Sequence, residues 1–144
     1  MNKDFDEIRE LSQKMLLFQS IYKDNAKKVG LTDTLITVLY VLSQHPKECT
    51  QKSLIEHTYL PKQTIHFVIE KLIDKKLVIL TSSPSDKRVK IINLTEKGEK
   101  YIQKKIFPFV NSANNAFLKM SDADQKKLVE LFTQYLANLQ NELN

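Results

Sequence analysis

Ile8, Leu11, Met15, Phe18 and Tyr22 alternate spacings of three and four, the rhythm of a helix packed lengthwise on another, and predict a first helix from about Asp4 to Lys28. Leu16, Leu17 and Ile21 widen the apolar surface, so this helix needs cover on two sides. Gly30, free to take a positive φ, ends it. Thr32 then opens a second helix, Asp33 to Gln44, with a core stripe of Leu35, Ile36, Leu39, Tyr40 and Leu42. His45-Pro46 closes it, because the residue before a proline is pushed out of helical geometry.

Thr50 is a suitable N-cap for a short helix from Gln51 to Thr58 that carries Leu54 and Ile55. A few residues later, Pro61 suits a first helical turn, where its missing amide would have no partner. Ile65, Val68, Ile69, Leu72 and Ile73 follow on one stripe, leaving Lys62, Gln63, His66 and Lys71 turned outward. Two helices joined so tightly form a helix-turn-helix. Leu77 to Thr81 and Val89 to Leu94 are β-branched apolar runs around a Ser/Pro/Asp cluster, which predicts a β-hairpin with a long, basic tip. Thr95 caps a fifth helix carrying Tyr101, Ile102, Ile106, Phe109 and Val110, and Pro108 predicts a kink or break within it. Ser121, with Asp124 three residues on, starts a last helix striped by Leu128, Leu131, Phe132, Tyr135, Leu136, Leu139 and Leu143. The fold class is therefore mostly α with a small β-hairpin: a winged helix-turn-helix over residues 32–98, flanked by dimerisation helices over 1–30 and 99–144 within a single domain, 1–144.

Composition sharpens this picture at three points. The 144 residues suffice for one domain with a real core, and only two glycines and four prolines occur, with no linker-like tract. The polar, acidic start Met1 to Glu7 does not look like a signal peptide, and no apolar run reaches membrane-spanning length; a cytoplasmic protein without a membrane partner is the expectation. Charge is the third point. Residues 47–105 hold thirteen Lys/Arg against seven Asp/Glu, whereas residues 1–46 balance at six each and residues 106–144 hold three against four. The whole excess lies on the helix-turn-helix and hairpin, the footprint of a polyanion partner.

Lys71-Leu72, Leu77-Val78, Asp86-Lys87-Arg88 and Leu94-Thr95-Glu96-Lys97-Gly98 stand at the spacing of the MarR-type transcriptional regulators, and the chain resembles that family. The resemblance implies a homodimer built from the first and last helices, with double-stranded DNA as partner and an effector bound between the dimerisation helices and the winged part. A dimeric, ligand-responsive repressor acting on an inverted-repeat operator is the function expected from it. Gln63, Thr64 and His66 have the reach to read bases from the major groove, while Lys62 and Lys71 suit phosphates. Thr50, Gln51 and Lys52, at a helix start, offer a further phosphate contact. The resemblance implies minor-groove insertion for Arg88, orientation of Arg88 by Asp86, and backbone contacts for Lys87 and Lys90. Phe67, Lys76 and Leu80 depart from the family pattern, which favours arginine, glycine and arginine there. For a small aromatic effector, Phe18, Tyr22, Tyr40 and Phe107 are the candidate lining.

The alternative within the same fold is a winged-helix module that binds protein without sequence-specific DNA contact. No glycine-rich phosphate loop or nucleophile elbow occurs, so no enzyme activity is expected, and no cofactor. His45 and Cys49 are four apart, with His57 and His66 nearby, but Pro46 breaks any helix that would align the first two, and no metal site is expected. Cys49 lacks a strong cationic neighbourhood and is not expected to be a redox switch.

Overall fold

The computed structural model describes residues 3–144; Met1 and Asn2, the start of the acidic N-terminal stretch, lie outside the described residues. The elements run α1 (Lys3–Lys28), α2 (Asp33–Gln44), α3 (Gln51–Thr58), α4 (Lys62–Asp74), β1 (Val78–Ser82), β2 (Lys90–Leu94), α5 (Glu96–Tyr101), a π-helical turn (Ile102–Ile106), α6 (Phe107–Leu118) and α7 (Asp122–Leu143). This is the mostly helical architecture with one antiparallel hairpin that the residue pattern predicts. The chain divides into two compact units, Met1–Phe107 and Pro108–Asn144. The winged part expected over 32–98 falls wholly within the first.

Side-chain caps start most of the helices. The Thr32 hydroxyl accepts from the Leu35 amide, and Thr50 and Ser53 form a reciprocal capping box at the head of α3. α1 ends at Gly30, whose φ of +73° lets the Leu31 amide reach back to the Ala26 carbonyl at 2.9 Å. The core of the first unit is assembled around α2. Ile36, Val38, Leu39 and Leu42 are all buried, and they are joined inside by Leu54 of α3, by Ile65, Val68, Ile69 and Leu72 of α4, and by Ile102 and Ile106. Val38, outside the expected stripe, is fully buried because α2 is covered on more than one side, by α3, α4 and the π-helical turn. Ile73, expected on the buried stripe of α4, is 37% exposed at its edge.

β1 and β2 pair from Val78↔Leu94 to Ser82↔Lys90. Thr50 adds a bridge to Ile91, and the Ile92 amide donates to the Cys49 carbonyl at 2.7 Å, so the hairpin is fastened to the start of α3. At the other end, the Thr95 amide donates to the Leu77 carbonyl at 3.0 Å while the Thr95 hydroxyl donates to the Lys76 carbonyl at 2.7 Å. Gly98 explains how α5 comes so near: a Cβ built there would collide with the Leu77 carbonyl oxygen. The expected break near Pro108 takes the form of a change in hydrogen-bond period. In the turn just before it, the Phe107 amide bonds the Ile102 carbonyl five residues back, and Pro108 has no amide to give.

In the second unit, Ser121 caps α7, accepting from the Asp124 amide at 3.1 Å and donating to its carboxylate at 2.7 Å. Neither α6 nor α7 contains a buried residue. Leu128, Val129, Leu131, Phe132, Leu136 and Leu143 of α7 are exposed. In the first unit, α1 likewise exposes Phe5, Ile8, Leu11, Leu16, Leu17, Phe18 and Ile21. Among the described residues, no helix is long and apolar enough to cross a membrane.

Two substitutions test the junction after α4. Lys76 adopts φ +58°, the left-handed region where a Cβ is unfavourable, so Lys76→Gly is expected to stabilise the fold by about 0.5–1 kcal/mol. Gly98→Ala is expected to lower stability by more than ~2 kcal/mol, since the new methyl must displace the Leu77 carbonyl that Thr95 holds. Urea unfolding of both variants measures the two signs.

Candidate nucleic-acid interface

The residues singled out for nucleic-acid contact lie on the head of α3, on α4 and on the hairpin, all in the first unit. α4 buries Ile65, Val68, Ile69 and Leu72, so at 3.6 residues per turn its opposite side must carry Gln63, Phe67, Glu70 and Asp74, flanked by Lys62, His66 and Lys71. Its first residues have no side-chain cap, since Pro61 precedes them, and the amides of that turn are not engaged by a capping side chain. Lys62 shares a shallow groove with Gln51, Lys52, Ile55 and Glu56, which brings the heads of α3 and α4 together. Within that cluster Lys52 stands 4.0 Å from Glu56, a largely exposed pair of little energetic weight. The Thr50 hydroxyl is committed to the Ser53 amide at 3.1 Å, so Thr50 shapes the head of α3 rather than presenting a free hydroxyl.

Thr64 and Lys71 turn toward the start of α2. With Thr34, Phe67, Lys75 and Tyr101 they line a groove of about 510 Å³. The Lys71 ammonium lies 4.2 Å from the centroid of the Phe67 ring. His66 faces Glu70 at 3.3 Å, an ion pair only when the imidazole is protonated. Glu70 is thus an acidic group on the same outward face.

The hairpin tip is held by its own short-range bonds. The Val89 amide donates to the Asp86 carbonyl at 3.0 Å, and the Ser83 amide to the Val89 carbonyl at 2.9 Å. Asp86 Oδ1 accepts from the Arg88 backbone amide at 3.0 Å and from Arg88 Nε at 3.3 Å, while Arg88 Nη2 reaches Asp86 Oδ2 at 3.5 Å. The Arg88 side chain is nonetheless 92% exposed, so the carboxylate aims the guanidinium without covering it. Lys87 is exposed beside it, and Lys90 Nζ donates to the Ser82 hydroxyl at 2.9 Å across the hairpin. Chemically, this is a cationic, donor-rich surface made of one helix and one hairpin, with a guanidinium at its extremity.

Three residues of this surface escaped the reading of the sequence. Tyr59, in the turn between α3 and α4, is 91% exposed with φ +55°; its Tyr-Leu-Pro context reads as an ordinary helix stop. Glu70 passes for a solvated charge, and Phe67 for a simple departure from a family pattern. Of the candidate effector lining, Phe18 and Tyr22 are in ring contact, with centroids 4.8 Å apart. Tyr40 and Phe107 sit half-buried on α2 and at the start of α6.

The His45 and His57 rings also meet, at 4.5 Å between centroids, and His57 Nδ1 donates to the Ser53 carbonyl at 2.7 Å. Among the described residues no three His, Cys, Asp or Glu side chains gather as a metal site. Cys49 is buried against this pair of helices; loss of solvent pushes its thiol pKa above the ordinary value, and the hydrogen bond from Ser53 offsets only part of that shift. Such a thiol stays protonated and unreactive near neutral pH.

Comparison with known proteins agrees with this geometry. The MarR family model matches residues 29–89, the stretch from the end of α1 to the hairpin tip. The transcriptional regulator SarZ of Staphylococcus epidermidis is 34% identical over 109 residues, covering 76% of this chain and 72% of SarZ. The transcriptional repressor NicR of Pseudomonas putida is 33% identical over 79 residues, which cover 55% of this chain; the match spans about half of NicR's length, 49%. Among solved structures, a MarR family regulator from Neisseria meningitidis shares the fold at a TM-score of 0.77, with 23% identity and coverage of 99% of this chain and 96% of that one. BpsR of Bordetella bronchiseptica, whose DNA binding is regulated by 6-hydroxynicotinic acid, superposes with a TM-score of 0.71 at 22% identity, over 88% of this chain and 90% of its own. With its winged helix-turn-helix, its wing-tip arginine and these relatives, the chain belongs to the MarR family of DNA-binding transcriptional regulators.

Proposed function

We propose that the protein is a cytoplasmic, homodimeric, ligand-responsive repressor that recognises an inverted-repeat operator in double-stranded DNA. The observation that carries this reading is the tethered Arg88: an almost fully exposed guanidinium, aimed by Asp86, at the tip of a hairpin fastened to the helix that bears Gln63 and His66. An exposed ion pair adds at most ~1 kcal/mol to a fold, so its worth lies in orientation. In this reading Gln63, Thr64 and His66 meet base edges in the major groove, and Lys62, Lys71, Lys87 and Lys90 meet phosphates, with Gln51 and Lys52 at the head of α3. Arg88 enters the flanking minor groove, where A·T-rich sequence narrows the groove and deepens its negative potential.

Dimerisation is supported by the apolar residues that α1 and α7 leave in water. Burying one Val, Leu, Ile or Phe is worth about 1.5–3 kcal/mol, and these helices expose thirteen such side chains among the described residues. A second copy of the same chain, offering the same surfaces, is the occupant that closes the arrangement symmetrically. Two recognition helices related by a two-fold axis then call for half-sites whose centres lie about one helical turn, ~10 bp, apart. Effector control is supported by the 6-hydroxynicotinic acid named for BpsR and by the Phe18–Tyr22 ring pair, which with Tyr40 and Phe107 offers flat apolar contact to a small aromatic ligand.

Titration of operator DNA at one fixed salt concentration tests the wing. Arg88→Ala is expected to weaken binding by about 1–3 kcal/mol and to flatten any preference for A·T flanks. Asp86→Ala is expected to weaken it too, although it removes a negative charge, because a free arginine loses more rotamer entropy on reaching the groove. Tighter binding by Asp86→Ala would remove the orienting role. Assembly is tested separately by sedimentation of wild type and of the Leu131→Asp, Tyr135→Lys double variant. The wild type is expected to be a dimer at micromolar concentration and the variant a monomer without operator binding; a monomeric wild type would contradict the assembly.

A further inference from the structure

Phe67 is the one large apolar side chain near the centre of the outward face of α4. It is 58% exposed, although Val68 beside it lies in the core. Counting along the helix, it stands one turn after Gln63 and one turn before Lys71, opposite the buried Ile65, Ile69 and Leu72. Phe67 borders the groove that α4 forms with the start of α2, so the ring is flanked on that side, while more than half of it stays open to solvent. The Lys71 ammonium lies 4.2 Å from its ring centroid. That contact occupies a face of the ring and leaves other parts of it accessible.

We infer that Phe67 is a base-specificity residue that packs against the C5-methyl group of a thymine in the major groove. The inference rests on the DNA reading above and deepens it. A phenyl ring carries no hydrogen-bond donor or acceptor, so it cannot read the polar edges of guanine, adenine or cytosine. The thymine methyl is the one apolar group that a base pair presents in the major groove, and aromatic side chains are suited to it. Gln63, one turn earlier on the same meridian, can bond an adenine edge, so a neighbouring A·T step offers both residues a partner. Lys71 fits the same picture. Its ammonium is held beside the ring and keeps a charge near the groove wall, where the phosphates run.

The test uses thymine and deoxyuridine, which differ only by that methyl. A duplex is first selected from a random library by the full-length wild-type protein. Its thymines are then replaced by deoxyuridine one at a time, symmetrically in both half-sites. Kd is measured for wild type, Phe67→Ala and Phe67→Leu. Burying a methyl is worth roughly fourfold in affinity, so wild type is expected to lose about fourfold per contacted methyl at one symmetric position, and up to ~16-fold for the pair. Phe67→Ala is expected to bind the thymine and deoxyuridine duplexes equally, and Phe67→Leu to keep part of the discrimination. Thermal unfolding of Phe67→Ala close to wild type shows that the loss is local. Wild type indifferent to every replacement overturns the inference while leaving DNA binding intact. Discrimination that persists unchanged in Phe67→Ala assigns the methyl effect to DNA shape or to another residue and also overturns it. A selection that enriches no sequence removes the DNA reading and this inference with it.

Discussion

The carbonyl of Leu77 is the point on which the reading surface depends. It follows the end of α4, where Lys76 turns the chain through a left-handed conformation and the Leu77 amide closes back on Leu72 at 2.9 Å. The oxygen of Leu77 accepts from Thr95 just as β2 gives way to α5, and Gly98 alone leaves room for that approach. Lys97 adds a bond from its ammonium to the Lys75 carbonyl at 2.9 Å. The last carbonyls of α4 are satisfied by the amides of Lys75, Lys76 and Leu77, and the carbonyls of those same three residues are satisfied by the segment that leaves the hairpin. Helix and wing cannot shift independently without breaking this set of bonds, so the base of the hairpin keeps a fixed relation to α4, as the proposed DNA contact requires. Preorganisation of this kind lowers the ordering cost of binding.

A second constraint is electrostatic. An excess of six positive charges on residues 47–105 would repel itself if it were packed tightly, and the fold spreads it over α3, α4, the hairpin and the segment of α5 and the π-helical turn that carries Lys97, Lys100, Lys104 and Lys105. Acidic groups are inserted locally: Glu56 near Lys52, Glu70 near His66, Asp86 under Arg88. All three pairs are substantially exposed, and their contribution to stability is small. Their effect is to restrain where the cationic ends lie. Asp86 does this most firmly, since the same carboxylate also accepts the Arg88 backbone amide and so shapes the tip itself.

Much of this was legible in the residues because the signals are local. Thr32, Thr50, Thr95 and Ser121 announce helix starts through hydroxyls that satisfy amides within three residues, and the β-branched runs around Ser82 to Arg88 announce the hairpin. Family resemblance rested on Lys71-Leu72, Leu77-Val78, Asp86 to Arg88 and Leu94 to Gly98, and the steric reason for the glycine of the last run became visible only when Leu77 was placed against it. What periodicity could not give was set by tertiary neighbours. Val38 is buried because several elements surround α2, and Ile73 is 37% exposed because it lies at the edge of the apolar stripe of α4. Proline marked a disturbance at 108, but its form as a π-helical turn depends on how Ile102 and Ile106 both reach the core. Phe67 lies off the apolar stripe of α4 and stood out in the sequence only as a departure from the family pattern; how much of its ring is left outside is visible only in the packed structure.

The central claim is that the cationic face of the winged unit binds duplex DNA through its phosphates as well as its bases. Each phosphate neutralised by a lysine or arginine releases condensed counterions, and the affinity must then fall as salt rises. The direct measurement is the Kd of wild type for its selected operator between 50 and 200 mM salt. With roughly six to ten phosphate contacts, the logarithm of affinity should fall linearly with the logarithm of salt, losing about 10³–10⁵ over that range. An affinity unchanged across the range would contradict the account.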